Sequence, residues 1–343
     1  MIEVNYKNSK QIICMSQLLV ITSENDIHTD ALIKEIHKSD IEAIRLNSES
    51  FISQSQYHFT WDVDGKITDR ALQFKDSLRS AKDIKVIWWR KPDDYQSHPS
   101  VTDPWAIKYA QDETKSLLLS LRGLFPEAKW VNDYHNLRLP SNRINQIPIA
   151  KQLGIPIPAT IVTNDYEPAL KFLQQYSDCI VKPMRYSGFL HEETQYACYT
   201  RPIDIETLEE FRESIHLAPL FIQKRISKKA EYRVTLIGKQ HFVCRLDVAH
   251  LNDPDVDMDW RVIEPDKVTH IPDTLPESYI HKLRQMLEIF GLNFGAFDII
   301  RDDDDELYFI ELNPNGQWYW IEILTQMPMV KAMADLITEL ANG

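Results

Sequence analysis

One stretch near the C-terminus, Tyr308-Phe309-Ile310-Glu311-Leu312-Asn313-Pro314-Asn315-Gly316, limits what the chain can become. Its apolar residues favour a strand, yet an acid and an amide interrupt them. Glu311 and Asn313 are two apart, so a strand points both to one face. Pro314 has no backbone donor and ends the pairing. Upstream, Phe294-Gly295-Ala296-Phe297-Asp298-Ile299-Ile300 predicts a second strand, with Asp302–Asp305 as the turn between them. A turn centred on Asp303 and Asp304 sets Asp298 opposite Phe309 and diagonal to Glu311, close enough to share an ion. Oxygen ligands without Cys or His suit a hard ion, Mg²⁺ or Mn²⁺. Such an ion usually takes one or two carboxylates together with substrate phosphates. A hairpin with solvated acids explains Asp302–Asp305 but not Glu311, whose neighbours Phe309, Ile310 and Leu312 are apolar. An unpaired buried carboxylate costs too much to be incidental.

At 343 residues the chain is too long for one ordinary core, and two or three domains are expected. A 43% hydrophobic content fits a folded soluble protein. The net charge of −13 argues against general nucleic-acid binding and against an anionic membrane surface. Only 9 glycines are present, and neither G-x-G-x-x-G nor G-x-x-x-x-G-K occurs. Cys14, Cys179, Cys198 and Cys244 form no C-x-x-C pair, so zinc and redox motifs are not expected. They are read as reduced cytosolic thiols packed as small apolar groups. No apolar run is long enough to span a membrane. Lys7 and Lys10 before Ile12–Met15 resemble the start of a signal peptide, but Ser16 and Gln17 break the run and no cleavage site follows. A strand is expected there.

In chain order, Gln17–Thr22 predicts a strand, Asp26–Ile36 a helix, Ala43–Leu46 a strand and Ile84–Trp89 another. This βαβ alternation predicts a parallel sheet. Asp103 as N-cap and Pro104 behind it open a helix whose apolar face runs through Ala110, Leu117, Leu121 and Leu124. Lys129–Asn132 completes a first domain of about 130 residues. Ser141 is expected to cap a helix that Gly154 stops. Strands at Ala159–Thr163, Cys179–Pro183, Tyr196–Thr200 and Leu220–Gln223, with a helix over Tyr166–Tyr176, make a small α+β domain. Tyr232–Ile237 and His241–Asp247 form a hairpin about Gly238-Lys239. A helix runs from Pro276 to Gly291, and a terminal one covers Met329–Leu340.

A metal–phosphate site needs cations as well. Lys182 ends an apolar strand and can act as a point charge on phosphate, or can snorkel as a surface lysine. Arg143, Arg233 and Arg245 are further candidates, the last two on one predicted hairpin. Leu220–Ile226 is an apolar strand running into a basic turn. Its backbone can hydrogen-bond an adenine edge, and Glu231 can accept from ribose hydroxyls. Lys228 and Lys229 are read as a solvated turn.

The layout of these residues resembles the ATP-grasp superfamily over nearly the whole chain. More narrowly it resembles the microviridin or graspetide maturases, which macrocyclise ribosomal peptides. Ile21–His28, Trp88–Pro92, Trp130–Asn132, Pro158–Asn164, Asp259-Trp260-Arg261 and Glu311–Asn315 carry the likeness. It implies α/β and α+β architecture in a three-part ATP-grasp fold: residues 1–132 as an N-terminal α/β domain, 133–224 as a small central lid, and 225–343 as a C-terminal mixed-sheet catalytic domain. It implies ATP and Mg²⁺, two ions, with Asp298, Glu311 and Asn313 as metal ligands. Lys182 matches the strand lysine on ATP phosphates. Arg143 falls where the family more often has lysine. Gln223, Arg225 and Ile226 lie on the adenine hinge, and Glu231 at the ribose position. Arg233 and Arg245 match residues facing the triphosphate and the acyl phosphate. Arg261 matches the position that meets the acidic substrate side chain.

The implied reaction transfers the γ-phosphoryl of ATP to an Asp or Glu side chain. A Ser or Thr hydroxyl, or a Lys amine, then displaces phosphate from the acyl phosphate. The resemblance implies a cytoplasmic homodimer whose partner is a precursor peptide with a leader and an acidic, hydroxyl-rich core, and no nucleic acid or membrane. Another carboxylate–amine ligase of the same fold is a rival expectation, and a nucleotide-binding regulator without turnover is a second.

Overall fold

Runs of β-branched and aromatic residues alternate with helical spacing, and the chain folds accordingly. The structure, a computed structural model, describes residues 16–74, 77–79, 84–92, 95–184, 188–191, 194–251 and 253–343. The expected strand near Ile12 and the thiol of Cys14 lie outside the described residues. The chain divides into two compact units, one running to Val131 and taking in Met333–Gly343, the other Asn132–Ala332.

In the first unit, β1 (Ser16–Thr22), α1 (Ile27–Ile36) and β2 (Ile41–Asn47) make a βαβ turn. A one-turn helix α2 (Phe51–Gln54) leads into β3 (Ser55–Trp61), β4 (Ile67–Phe74) and β5 (Ser77–Arg79), an antiparallel sheet with no counterpart in the sequence expectations. β6 (Ile84–Trp89) and β7 (Lys129–Val131) complete a parallel sheet of order β2-β1-β6-β7. Leu18, Leu19, Val20, Ile21, Val86 and Ile87 are fully buried, as strands covered on both faces require. Beyond β1 and β6, Asp26 caps α1 and accepts from Thr22 Oγ1 and Thr29 Oγ1, each at 2.8 Å, with Arg90 Nε at 3.6 Å. Two of the stretches that carried the resemblance therefore meet at one buried carboxylate. Burial opposes its ionisation, but hydrogen bonds from His28 and the hydroxyls, with the Arg90 charge, hold it well below the usual carboxylate range.

α3 (Pro104–Leu119) starts at Asp103 as expected, its carboxylate accepting from Trp105 N and Ala106 N. It does not run on to Leu124. Ser120 Oγ bonds back to Ser116 O and the chain restarts as α4 (Leu121–Leu124). The buried face runs through Thr114 and Leu118, with Leu117 only half-buried.

The second unit opens with α5 (Tyr134–Leu137) and α6 (Arg143–Gln152). Asn142 caps α6, accepting from Ile144 N at 3.1 Å, while the expected cap Ser141 donates to Leu137 O. β8 (Thr160–Thr163), α7 (Tyr166–Gln175) and β9 (Cys179–Lys182) follow. β10 (Gly188–His191) and β11 (Thr194–Ala197) pair as a hairpin, so the strand expected at Tyr196–Thr200 ends at Ala197 and a new one, β12 (Arg201–Ile203), begins. After α8 (Ile205–Glu210), β13 (Leu220–Lys224) closes a sheet of order β12-β9-β13-β8. Tyr166, Ala169 and Leu173 pack α7 onto Cys179, Ile203, Leu208 and Ile222.

The last sheet has the order β16-β15-β14-β17-β18. Its strands are β14 (Ala230–Ile237), β15 (Gln240–Asp247), β16 (Thr269–Asp273), β17 (Phe294–Arg301) and β18 (Leu307–Asn313). α9 (Pro254–Met258) precedes β16 and α10 (Glu277–Phe290) follows it, the latter ending at Gly291 with φ +65°. α11 (Tyr319–Thr325) and α12 (Met329–Asn342) end the chain. One sheet face carries Val234, Leu236, Phe297, Ile299, Phe309 and Leu312, all buried. The opposite face carries the candidate site.

Candidate active site

The β17–β18 register differs from the regular hairpin expected from sequence. Ile299 pairs with Phe309 but Asp298 pairs with Glu311, so Ile310 is an extra residue in its strand. The bulge turns Phe309 to the core, where it meets Phe297 edge to face, and Glu311 to the other side. Asp298 and Glu311 are thus directly opposite, not diagonal, and Ala296 pairs with Asn313 on the same face. Arg233 pairs with Asp298 across β14, and its Nη1 donates to Asp298 Oδ1 at 2.6 Å. Glu231, two residues earlier, shares this face.

The hairpin is held at its open end by Asn132. Its Nδ2 donates to Phe294 O (2.8 Å) and Pro314 O (2.7 Å), and its Oδ1 accepts from Asn293 N (2.8 Å) and Phe294 N (3.1 Å). Gly316 fits because it lacks a side chain: a Cβ there would lie 2.9 Å from Ala296 Cβ and 3.2 Å from Asn313 Cβ.

Three further cations belong to the group. Arg143, the first residue of α6, donates through Nη2 to Glu311 Oε2 at 2.8 Å and through Nη1 to Pro183 O. Lys182 Nζ donates to Gln223 Oε1 (3.0 Å), and Gln223 Nε2 donates to Thr160 Oγ1 (3.0 Å). Burial lowers the Lys182 pKa to about 8, with Arg143 and Arg261 pushing the same way and Glu311 and Glu231 opposing. Lys182 is thus within electrostatic range of both the carboxylates and the guanidiniums. Arg261 is gripped by Asp259, Nε to Oδ1 at 2.7 Å and Nη2 to Oδ2 at 2.6 Å. Asp259 is buried and also accepts from Thr200 N. Burial opposes both charges, yet the pair holds Asp259 low and Arg261 high, and Asp298 and Glu311 add to the stabilisation of Arg261.

Other expectations are met differently. Strand pairing sets Arg245 opposite Tyr232 and Arg233 opposite Cys244. Paired residues share a face and successive ones alternate, so Arg245 is on the core face, its Nε 3.7 Å from Asp273 Oδ2. The structure brings Arg233 to the site and does not bring Arg245. Arg225 donates its N–H to Asp178 O (2.9 Å) and its side chain leans to the same residue, while Ile226 follows in the loop. Glu231 accepts from Lys228 Nζ at 3.0 Å. Lys228 is therefore half-buried and paired, not solvated, and Lys229 pairs with Asp305 at 2.7 Å. Asn132, Gln146 and Thr160 had no assigned role in the sequence analysis. Asn132 and Thr160 lie in the stretches Trp130–Asn132 and Pro158–Asn164 that carry the resemblance, and Gln146 does not.

Among the described residues no group of three or more His, Cys, Asp and Glu side chains gathers. The facing pair Asp298 and Glu311, with the Asn313 amide beside them, offers hard oxygen donors only, which fits a divalent cation completed by phosphate oxygens.

No protein-family model matches the sequence, and no curated protein matches it. Among solved structures, the chain is similar to a RiPP-associated ATP-grasp ligase from Chryseobacterium gregarium in complex with ADP and a leader and core peptide. The identity is 26% and the TM-score 0.87, over 95% of this chain and 97% of that one. It is similar to macrocyclase MdnC bound with precursor peptide MdnA from Microcystis aeruginosa MRC, at 21% identity and TM-score 0.79 over 94% and 99%. It is similar also to the ATP-grasp ligase PsnB complexed with minimal precursor, Mg and ADP, at 18% identity and TM-score 0.71 over 94% and 97%. The last two likenesses bear on the fold. With that fold matched along nearly the whole of both chains, and with Asp298, Glu311 and Arg233 together on one sheet face, the chain is an ATP-grasp ligase.

Proposed function

We propose that the chain is an ATP-dependent macrocyclase of a ribosomally made precursor peptide. It activates Asp or Glu side chains as acyl phosphates and joins them to Ser or Thr hydroxyls as ω-esters, or to Lys amines as ω-amides. The observation that carries this reading is the gathering of Lys182, Arg143, Arg233 and Arg261 about Asp298 and Glu311. The likeness to a RiPP-associated ligase complexed with ADP and peptide supports the substrate class.

Asp298, Glu311 and Asn313 hold Mg²⁺, and we assign two ions. Bound Mg²⁺ supplies neutralisation of phosphate charge. Lys182 and Arg233 bind phosphate oxygens, and Arg143 keeps Glu311 in place. The hinge at Gln223, Arg225 and Ile226 takes the adenine, and Glu231 the ribose. Asp259 occupies the Nε–Nη2 edge of Arg261, so the Nη1 side meets the substrate carboxylate. A carboxylate oxygen attacks the γ-phosphorus, the bond to the bridging oxygen breaks and ADP leaves. A hydroxyl or amine of the same peptide then attacks the acyl carbon, phosphate departs and the nucleophile loses its proton. Each link removes the elements of one water from the peptide. No enzyme nucleophile takes part, so catalysis rests on positioning and on shielding the mixed anhydride from water.

The resemblance supports a homodimer. Free Cys179, Cys198 and Cys244 support a reducing, cytoplasmic location. No described helix is long and apolar enough to cross a membrane. Incubation with ATP, Mg²⁺ and a precursor peptide tests the reading. Loss of one water mass per link with matching ADP release is expected. Addition of an amino acid without cyclisation points to another carboxylate–amine ligase, and nucleotide binding without ADP release points to a regulator.

A further inference from the structure

β18 is the outermost strand of its sheet, and two of its outward-facing hydrogen-bonding positions are filled by groups that are not strands. Phe309 N donates to Pro156 O at 2.8 Å. Leu312, which lies between the ligands Glu311 and Asn313, is met by the side chain of Gln146. Leu312 N donates to Gln146 Oε1 at 2.9 Å, and Gln146 Nε2 donates to Leu312 O at 2.7 Å and to Pro140 O at 2.6 Å. Gln146 is only 1% exposed. A primary amide presents C=O and N–H side by side, as one peptide unit of a neighbouring strand does. Gln146 therefore completes the ladder at the single residue that separates the two ligands. Arg143, three residues earlier on the same face of α6, holds the side chain of Glu311.

We infer that Gln146 is a positioning residue that fixes the register and direction of Glu311 and Asn313, and so sets the affinity for divalent cation. Resting on the metal assignment proposed above, the inference adds a group that touches neither ion nor substrate. Glutamate at this position keeps an acceptor for Leu312 N but loses both donations, and sets a carboxylate against Leu312 O and Pro140 O. Methionine keeps the length and loses both donors and acceptor.

Mn²⁺ binding in the presence of ADP, followed by electron paramagnetic resonance, tests this in Gln146→Glu and Gln146→Met, with Glu311→Gln alongside. Both Gln146 variants are expected to weaken Mn²⁺ by about tenfold or more, to bind ADP normally without metal, and to recover turnover at high Mg²⁺. A merely structural lesion is not relieved by metal. If Glu311→Gln binds Mn²⁺ as the wild type does, the metal assignment itself fails. If Glu311→Gln loses Mn²⁺ while both Gln146 variants keep it, the Gln146 inference is overturned. Hydrogen exchange on the wild type needs no variant: the Leu312 amide is expected among the protected ladder amides, and exchange as fast as at Asp303 overturns the clamp.

Discussion

Asp298 and Glu311 stand directly opposite each other on β17 and β18, and Ile310 is the reason. The extra residue lets Phe309 pack into the core two positions before Glu311 faces the other way. Paired regularly with Ile310 in register, Phe309 and Glu311, two apart, would share one face.

Deleting Ile310 should remove the bulge and leave Phe309 and Glu311 as neighbours on opposite faces, still across from Ile299 and Asp298. The expected cost is that of one half-buried side chain, about 1 kcal/mol. Urea denaturation measures it, and a loss of about 3–5 kcal/mol, the size of truncating a buried Phe, would show that the bulge itself holds the strand.

Glu311→Gln keeps an acceptor for Arg143 but removes a charge that faces Asp298 across the ladder. Turnover is expected to fall by roughly 10²–10³-fold, as when one electrostatic element of a transition-state clamp is lost. Steady-state ADP release with peptide present is the measurement. Activity within a few-fold of wild type refutes the assignment.

In the proposed role Lys182 meets phosphate as an ammonium, yet its pKa in the free protein is lowered to about 8 by burial and neighbouring guanidiniums. Phosphate contact restores the charge, so binding above pH 8 should take up a proton. Calorimetry in buffers of different ionisation enthalpy detects this uptake, and Lys182→Met should abolish it. The sign for stability follows from the same shift. Between about 8 and the ordinary lysine value the folded protein holds fewer protons than the unfolded chain, so this group's contribution to stability rises with pH across that window. The wild-type minus Lys182→Met difference in denaturation midpoint should grow from pH 8 to 10.

Arg261→Ala should leave ATP affinity intact and impair peptide modification. Asp259→Asn should resemble it, because one of two charge-assisted bonds that aim the guanidinium is weakened. An increase of about tenfold in peptide KM, near 1.4 kcal/mol, is expected for Asp259→Asn. Equal loss of ATP affinity in either variant contradicts the assignment.

Gly316→Ala places a methyl group against Ala296 and Asn313, which pair on the face of Asp298 and Glu311. Overpacking of this kind costs about 1–3 kcal/mol. Calorimetry should record a lower melting temperature, and metal affinity should fall with it because Asn313 must give way.

Much of this arrangement is legible in the sequence, for physical reasons. Glu311 and Asn313 betray themselves as polar residues at strand spacing within an apolar run. Asp103-Pro104 and Gly291 mark helix ends through backbone chemistry alone. The bulge at Ile310 is not legible, because apolar residues on both sides of it satisfy a regular strand equally well. The face of Arg245 depends on counting back from the Gly238-Lys239 turn, which sets it opposite Tyr232. Lys228 reads as solvent-facing until the fold brings Glu231 to within 3.0 Å. Gln146 gives no local signal, since its partner lies 166 residues away. The sheet formed by Ser55–Arg79 goes unanticipated because its strands bury little and show weak alternation, with Tyr57 and Trp61 exposed.

Asn132 staples the mouth of the β17–β18 hairpin, while the aspartate-rich turn sits at the far end with Asp303 and Asp304 open to solvent. Fraying at that tip has to travel the length of both strands before it can disturb Asn313. The tip is thus a natural graft point: a fluorophore or an affinity tag inserted between Asp303 and Asp304 gives a handle on this sheet whose attachment the Asp298–Glu311 end does not sense.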